Sequence, residues 1–372
     1  MNLWMEHRDA AKSRELFRQI EPYLHRSCAR VGRKLRFMEV CGTHSVAFSK
    51  SGVRELLAPF IELISGPGCP VCVTDQRDID QMIAYTGKKD VIVATFGDML
   101  SVPGSRSTLE RERAKGADVR VVHSASQAVR LAERFPSRDV VFLGVGFETT
   151  APGVALTLKE AGLKGLRNYY VYSAHKRTPP ALDALLSDEL HRLDGFILPG
   201  HVSVIIGRNG WSHLEERNVP AVIGGFDPMD LLLSIGILTK DQERERRTVR
   251  NLYPRVVTQE GNRAAQRLLS ECFEVTDAPW RGFGSLQRSG YAIHRNYAAH
   301  DASTHIEAPI SMTTVIKGCR CGEIVKGKES PFDCELFGKA CTPAHPLGPC
   351  MVSTEGTCST YFRYERTKQR NA

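Results

Sequence analysis

Short apolar runs recur along the chain, separated by polar segments of helical period. Four runs come first, at 35–40, 61–64, 91–96 and 119–122, with helical patterns at 75–85 and 109–115 between them. Four more follow at 140–145, 169–172, 196–198 and 221–223, with helical patterns at 154–161, 180–193 and 211–218. Short apolar runs alternating with helices predict βαβ units and a parallel sheet. A leading helical pattern spans 11–30, interrupted by Pro22. A long one spans 229–252, where the charged run 240–250 reads as a solvated helix face. Beyond 278 the periodicity fades and glycine, proline and cysteine become frequent, as in a small domain held by a metal centre. The pattern therefore predicts an α/β protein: two similar parallel-sheet α/β domains flanking a cleft, plus a small cysteine-rich C-terminal domain. The expected boundaries are 1–133, 134–250 and 251–372, with no residue-level repeat behind the duplication.

Composition narrows the class. The chain has 372 residues, enough for two or three domains, with 42% hydrophobic and 25% charged residues, as in an ordinary soluble globular protein. Its net charge of +8 is spread with both signs mixed. That lacks the basic stripe with interleaved aromatics expected of a nucleic-acid binder. No window has the eighteen or so apolar residues of a membrane helix, and the N-terminal residues lack a signal-peptide core. The expectation is a cytoplasmic protein with neither nucleic acid nor membrane as partner. In that compartment eleven cysteines argue for metal or redox chemistry over a disulfide framework. Four lie in the first 72 residues and six between Cys319 and Cys358.

In parallel α/β sheets, ligands bind outside the carboxyl ends of the strands, and the loops there carry the chemistry. The first run ends in Cys41-Gly42-Thr43-His44 and the second in Gly66-Pro67-Gly68-Cys69-Pro70-Val71-Cys72. Thiolate and imidazole are ligands for iron or zinc. Cys69 and Cys72 form a C-x-x-C opening a predicted helix, whose N-terminus favours the thiolate. The pair reads as a redox dithiol or as half of a zinc site. Cys41 and His44 read as ligands or as a buried thiol and a core histidine. The turn Gly146-Phe147-Glu148-Thr149-Thr150 presents N–H and hydroxyl groups to an anion or a diatomic ligand, or caps a helix. It is not a phosphate-cradling Walker loop, since no lysine follows in place. Pro199-Gly200-His201-Val202-Ser203 closes another run, and His201 joins Gly146–Thr150 as a candidate ligand- or partner-binding group. At the C-terminus, Cys321, Cys334, Cys341 and Cys358 have 12, 6 and 16 residues between them, with Cys319 and Cys350 as spare thiols. Four thiolates hold a [4Fe–4S] cube or a zinc ion.

Taken together, CGTH (41–44), GPGCPVC (66–72), FGDM (96–99), GFETTAP (146–152), PGHVS (199–203) and MVSTEG (351–356) resemble the HypD family of [NiFe]-hydrogenase maturation factors, over nearly the whole chain. The resemblance implies a scaffold that works with HypC, on which iron(II) acquires two cyanides and one carbon monoxide. Cyanide comes from HypE, which HypF charges using carbamoyl phosphate, and the finished group passes to the hydrogenase large subunit. It implies that Cys41 ligates the iron together with a HypC thiolate, with His44 as neighbouring ligand or proton donor. It makes Cys321, Cys334, Cys341 and Cys358 the ligands of a [4Fe–4S] cluster in the C-terminal domain. Cys69 and Cys72 become a dithiol exchanging electrons with that cluster. The competing expectation is a stand-alone iron–sulfur thiol–disulfide oxidoreductase, which needs neither Cys41 nor HypC.

Overall fold

The computed structural model describes residues 9–187, 192–310, 313–314 and 316–366. Eleven strands follow in chain order: β1 (Leu35–Glu39), β2 (Ile61–Ser65), β3 (Val91–Thr95), β4 (Val119–Val121), β5 (Asp139–Gly144), β6 (Tyr169–Ser173), β7 (Gly195–Pro199), β8 (Ala221–Gly224), β9 (Val249–Asn251), β10 (Phe273–Trp280) and β11 (Gly284–Ile293). The first nine form two parallel sheets, one of five strands in the order β2-β1-β7-β8-β9 and one of four in the order β4-β3-β5-β6. β3, β7 and β8 are buried throughout, as expected when helices cover both faces of a parallel sheet.

The α/β class and the parallel sheets agree with the sequence reading, but the strands are shared out differently. The expected boundary at 133/134 would put β1–β4 in one sheet. Instead β3 pairs with β4 and β5, while β1 pairs with β2 and β7. The chain starts the five-stranded sheet, crosses over to build the four-stranded one, and returns. Apolar runs specify buried strands, but they do not say which edges hydrogen-bond.

The segment assigned to 251–372 does not close on a core of its own. Cys321, Cys334, Cys341, Cys350 and Cys358 share one hydrophobic cluster with Cys69, Cys72, Val93, Val141 and Phe147. The fading periodicity after 278 hides a hairpin, β10–β11. The solvent face of β10 is polar from Glu274 to Asp277 except for half-exposed Val275, which masks the strand in sequence. The long helical pattern ends sooner than expected. The helix is Pro228–Glu243, and the charged run then feeds β9. The leading helix runs unbroken through Pro22, from an Asp9 cap to Gly32 at φ 69°. Of the pattern at 180–193, the helix Thr178–Leu186 is seen, and 188–191 lie outside the described residues. Among the described residues, no helix is long and apolar enough to cross a membrane.

Each sheet has one point where strand order reverses. In the five-stranded sheet it falls between β1 and β7, and in the four-stranded sheet between β3 and β5. Loops leaving neighbouring strands there diverge and open a crevice. The first switch point carries CGTH and PGHVS, and the second carries FGDM and GFETT.

Candidate functional site

Cys41 leaves β1 in extended conformation and forms the N-cap of the helix Gly42–Lys50, with no side-chain capping bond. Its thiol is 99% buried. Sγ lies 3.8 Å from His201 Nε2 and 4.0 Å from Nδ1. Burial pushes the Cys41 thiol up to about 12, with the Glu355 carboxylate adding to the effect. A free Cys41 therefore keeps its proton at neutral pH. His44, one turn into the helix, is fully buried, and its Nε2 lies 3.0 Å from the Gly225 carbonyl oxygen. A carbonyl only accepts, so Nε2 carries the hydrogen, and burial holds the ring neutral, down to about 3. Nδ1 is then a bare acceptor, and no protein group meets it among the described residues. His44 and His201 both pack against Phe226, at ring distances of 4.6 and 5.3 Å. One thiol and two imidazoles thus gather at the first switch point.

Beneath them lies Glu39, fully buried and pushed up to about 7 by burial. Its carboxyl accepts the Cys41 N–H at 3.2 Å and the Ser45 hydroxyl. The dithiol loop presses on the same turn. A Cβ on Gly68 would lie 2.2 Å from the Cys41 nitrogen, and the Gly42 N–H donates to Gly68 O at 3.2 Å. From the other side comes Glu355, whose Oε1 accepts the Thr43 hydroxyl at 2.7 Å. Glu355 thus ties the C-terminal MVSTEG segment to the Cys41 turn. Glu39 and Phe226 escaped sequence reasoning, as did the contact of Gly68 with the Cys41 backbone. For Glu39 a signal was legible: a lone carboxylate ending an apolar strand directly before the cysteine motif.

Cys69 and Cys72 form a disulfide at the start of the short helix Pro70–Val73. That helix packs against two short helices of the C-terminal segment, Cys321–Val325 and Pro349–Val352. Behind them the thiols collect. A Cβ on Gly348 would lie 2.5 Å from Cys321 Sγ and 2.9 Å from Cys319 Sγ, so only glycine fits there. Backbone N–H groups point at sulfur: Leu347 at Cys341 Sγ (3.4 Å) and Cys358 at Cys350 Sγ (3.2 Å). Contacts with Cys321 and Cys358 hold the Cys350 thiol low, and contacts with Cys321 and Cys350 hold Cys358 high. Of the four thiols expected from spacing, Cys321, Cys341 and Cys358 belong to this set together with Cys319 and Cys350. Cys334 shares the same buried cluster, and its Sγ lies 3.8 Å from the carbonyl oxygen of Gly318, the residue before Cys319. Among the described residues, no three side chains stand ready-made as a metal site. The donor set itself, buried thiols with N–H groups aimed at sulfur, suits a thiophilic iron–sulfur group.

At the second switch point the GFETT turn is knitted inward. Glu148 is buried, and burial raises its carboxyl. Both its oxygens bind Thr178 at 2.8 Å, through the backbone N–H and the hydroxyl, at the start of the helix Thr178–Leu186. Phe147 stacks on Trp280 at 6.0 Å. A Cβ on Gly146 would meet Thr150 at 2.4 Å. Thr150 is half-buried and Thr149 faces solvent. Trp280 also bridges to Thr74, just past the disulfide, so the tip of the hairpin joins the GFETT turn to the dithiol. Asp98 is exposed, and His175 is buried under the turn with its ring against Gly144.

Fold and site define a parallel α/β protein built around buried thiols, with a redox-capable cysteine pair set between a lone cysteine and a larger cysteine group. A family model described as "HypD: Hydrogenase formation hypA family" matches residues 13–365. The chain is 40% identical over 370 residues to the hydrogenase maturation factor HypD of Rhodobacter capsulatus, covering 98% of each. Its identity to the HypD of Cupriavidus necator is 39% over 373 residues, again 98% of each. To the HypD of Escherichia coli K12 it is 39% over 336 residues, 90% of each. The chain belongs to the HypD family and is a hydrogenase maturation factor.

Proposed function

We propose that the chain is the scaffold on which the iron of a [NiFe] hydrogenase acquires two cyanides and one carbon monoxide, held between Cys41 and a thiolate of HypC, with HypE as cyanide donor. The observation that carries this reading is the gathering of the Cys41 thiol and the His44 and His201 rings at one switch point, with the dithiol loop against the same turn. Iron(II) is the cargo. As the Cys41 S–Fe bond forms, the S–H bond breaks, and the ring of His201 at 3.8 Å takes the proton. Burial keeps that ring neutral, with a lone pair open, and makes it a weak base that passes the proton on. His44 Nδ1, with its lone pair uncommitted, is the second acceptor at the iron. The soft thiolate matches iron(II) bearing cyanide and carbon monoxide.

Cyanide held on a thiocyanate carrier leaves only with two electrons. Reduced Cys69 and Cys72 supply them: two thiols and R–S–CN become the disulfide, R–SH and HCN, and every atom and charge balances. The disulfide is the spent form of that pair. In this reading Cys321, Cys334, Cys341 and Cys358, with Cys319 and Cys350 close by, would hold a [4Fe–4S] cluster. When bound, the cluster supplies single electrons.

The test is an infrared spectrum of the protein purified with HypC in the absence of oxygen. Bands of metal-bound cyanide and carbon monoxide are expected in the native protein and absent from Cys41→Ala. A native protein with no bands but a reducible Cys69–Cys72 disulfide would overturn the scaffold in favour of a thiol–disulfide oxidoreductase.

A further inference from the structure

The hairpin tip carries a buried arginine. Arg281 follows Trp280 and is 9% exposed. Its backbone N–H donates to Val73 O at 2.9 Å and its Nε to Thr74 O at 3.1 Å, directly after the disulfide turn. Its Nη2 donates to Gln76 Oε1 at 3.2 Å. On the other side Gly282 abuts the residue after Cys321: a Cβ there would lie 2.4 Å from Gly322 O. Arg281 is thus wedged between the dithiol and the cysteine group. Among the described residues its partners are neutral oxygens. Lys176, also buried, faces the Asp78 carboxylate at 3.2 Å.

A buried cation with no counter-charge is costly, and such groups persist where an opposite charge completes them. Across the Gly282–Gly322 contact, the groups able to carry negative charge are the thiols, beginning with Cys321; the Asp80 carboxylate meets Gln76, at 3.5 Å, and not the guanidinium. We propose that Arg281 is the fixed counter-charge of the cysteine group, stabilising its anionic, metal-loaded state and raising the reduction potential of the iron–sulfur group it takes. The inference rests on the reading that this pocket takes such a group. A thiolate-bound iron–sulfur group is anionic and gains further negative charge on reduction, so a nearby fixed cation favours both loading and the reduced form. Arg281 touches no reacting atom and acts through its field.

The test uses the full chain, native and as R281Q and R281K, reconstituted with ferrous iron and sulfide without oxygen. Loading is read as iron and sulfide content, the potential by redox titration, and stability by thermal unfolding before and after loading. R281Q is expected to shift the one-electron equilibrium at least tenfold toward the oxidised form, about 59 mV downward. R281K, which keeps the charge, is expected to shift it less than threefold. Unloaded R281Q should unfold at or above the native temperature, because an uncompensated charge is gone, whereas loaded R281Q should unfold below loaded native protein. Equal destabilisation in both states with an unchanged potential would make Arg281 a structural clamp and overturn the proposal. So would R281Q that fails to fold unloaded, or R281K with a tenfold shift. Native protein that takes up no iron and sulfide overturns the cluster reading and this inference together. Native protein that loads, with R281Q indistinguishable from it, overturns only the role of Arg281.

Discussion

The two switch points are built alike and used differently. Each is a pair of strand-to-helix turns at the carboxyl edge of a parallel sheet, and each buries a histidine held neutral, down to about 3. At the five-stranded edge, polar groups converge on empty valence. The Cys41 thiol lies beside the His201 ring, with the Thr43 hydroxyl and the Glu355 carboxylate near it, and among the described residues His44 Nδ1 has no partner. At the four-stranded edge the motif turns on itself. Glu148 is consumed by Thr178, Phe147 by Trp280 and Gly146 by Thr150. Glycines, hydroxyls and a carboxylate in a strand-to-helix turn thus do not by themselves make a binding site. What separates the two motif turns is whether their own side chains are already taken up by protein partners, since each edge also keeps one bare histidine nitrogen among the described residues.

The contrast breaks most severely at Gly68, where the dithiol loop meets the Cys41 backbone. Gly68→Ala would place a methyl 2.2 Å from the Cys41 nitrogen, a backbone atom that cannot swing aside. We expect a loss of about 3 kcal/mol in denaturant unfolding, with the infrared bands lost as well. A variant of native stability that keeps its bands would mean that the two loops are not coupled. Glu148→Ala at the other edge should cost about 2 kcal/mol, since it leaves the Thr178 N–H and hydroxyl unpaired at a buried helix start. Any loss of cyanide bands in Glu148→Ala should only follow the loss of folded protein. A loss of bands at full stability would make Glu148 part of the site.

The fold class was legible because apolar runs recur through residue 223 with helical patterns between most of them. The partition of strands between sheets was not, because pairing is a property of strand edges and carries no side-chain signature. Cys41, His44, Cys69 and Cys72 were legible as reactive types at strand ends, and the structure brings Cys41 and His201 together from 160 residues apart. Arg281 and Trp280 were hidden, since they sit on a hairpin whose exposed face erases the strand pattern. Glu148 read as a ligand-binding group because a sequence cannot show that Thr178, thirty residues on, already occupies both of its oxygens.

A pH effect is common to both edges, and at the four-stranded edge it belongs to His175. His175 Nδ1 lies 3.0 Å from Ser173 Oγ, whose own hydrogen goes to Tyr291 O. Nδ1 therefore donates, and Nε2 is left bare among the described residues. Burial first, and then the Lys176 charge, lowers its pKa to about 3 from 6.5. Below 6.5 the unfolded chain binds a proton that the native ring refuses, so stability falls as pH drops, by about 1.4 kcal/mol per pH unit. The loss stops near pH 3, where the native ring titrates too. His175→Asn should remove one such increment of slope between pH 6.5 and 4 in urea unfolding curves. An unchanged slope would mean that the ring is protonated in the native protein.

The smallest structural effect belongs to Thr149, and it bears most directly on what the four-stranded edge is for. Thr149 is the one exposed side chain of the turn, so Thr149→Val should change stability by less than about 0.5 kcal/mol. Iron and sulfide content should also stay native, because the cysteine group lies across the hairpin tip from it. If the turn receives the diatomic ligands or the carrier's tail, losing this hydroxyl lowers the cyanide bands severalfold at native stability. Thr150→Val, half-buried against Gly146, should add to that loss only if it also faces the ligand. Native bands in both variants would leave the turn as a scaffold that caps one helix and braces the hairpin. The chemistry of the molecule would then lie wholly on the Cys41 side. Loss of iron and sulfide in place of cyanide would likewise show a structural turn, one whose strain travels through Phe147 and Trp280 to the thiols.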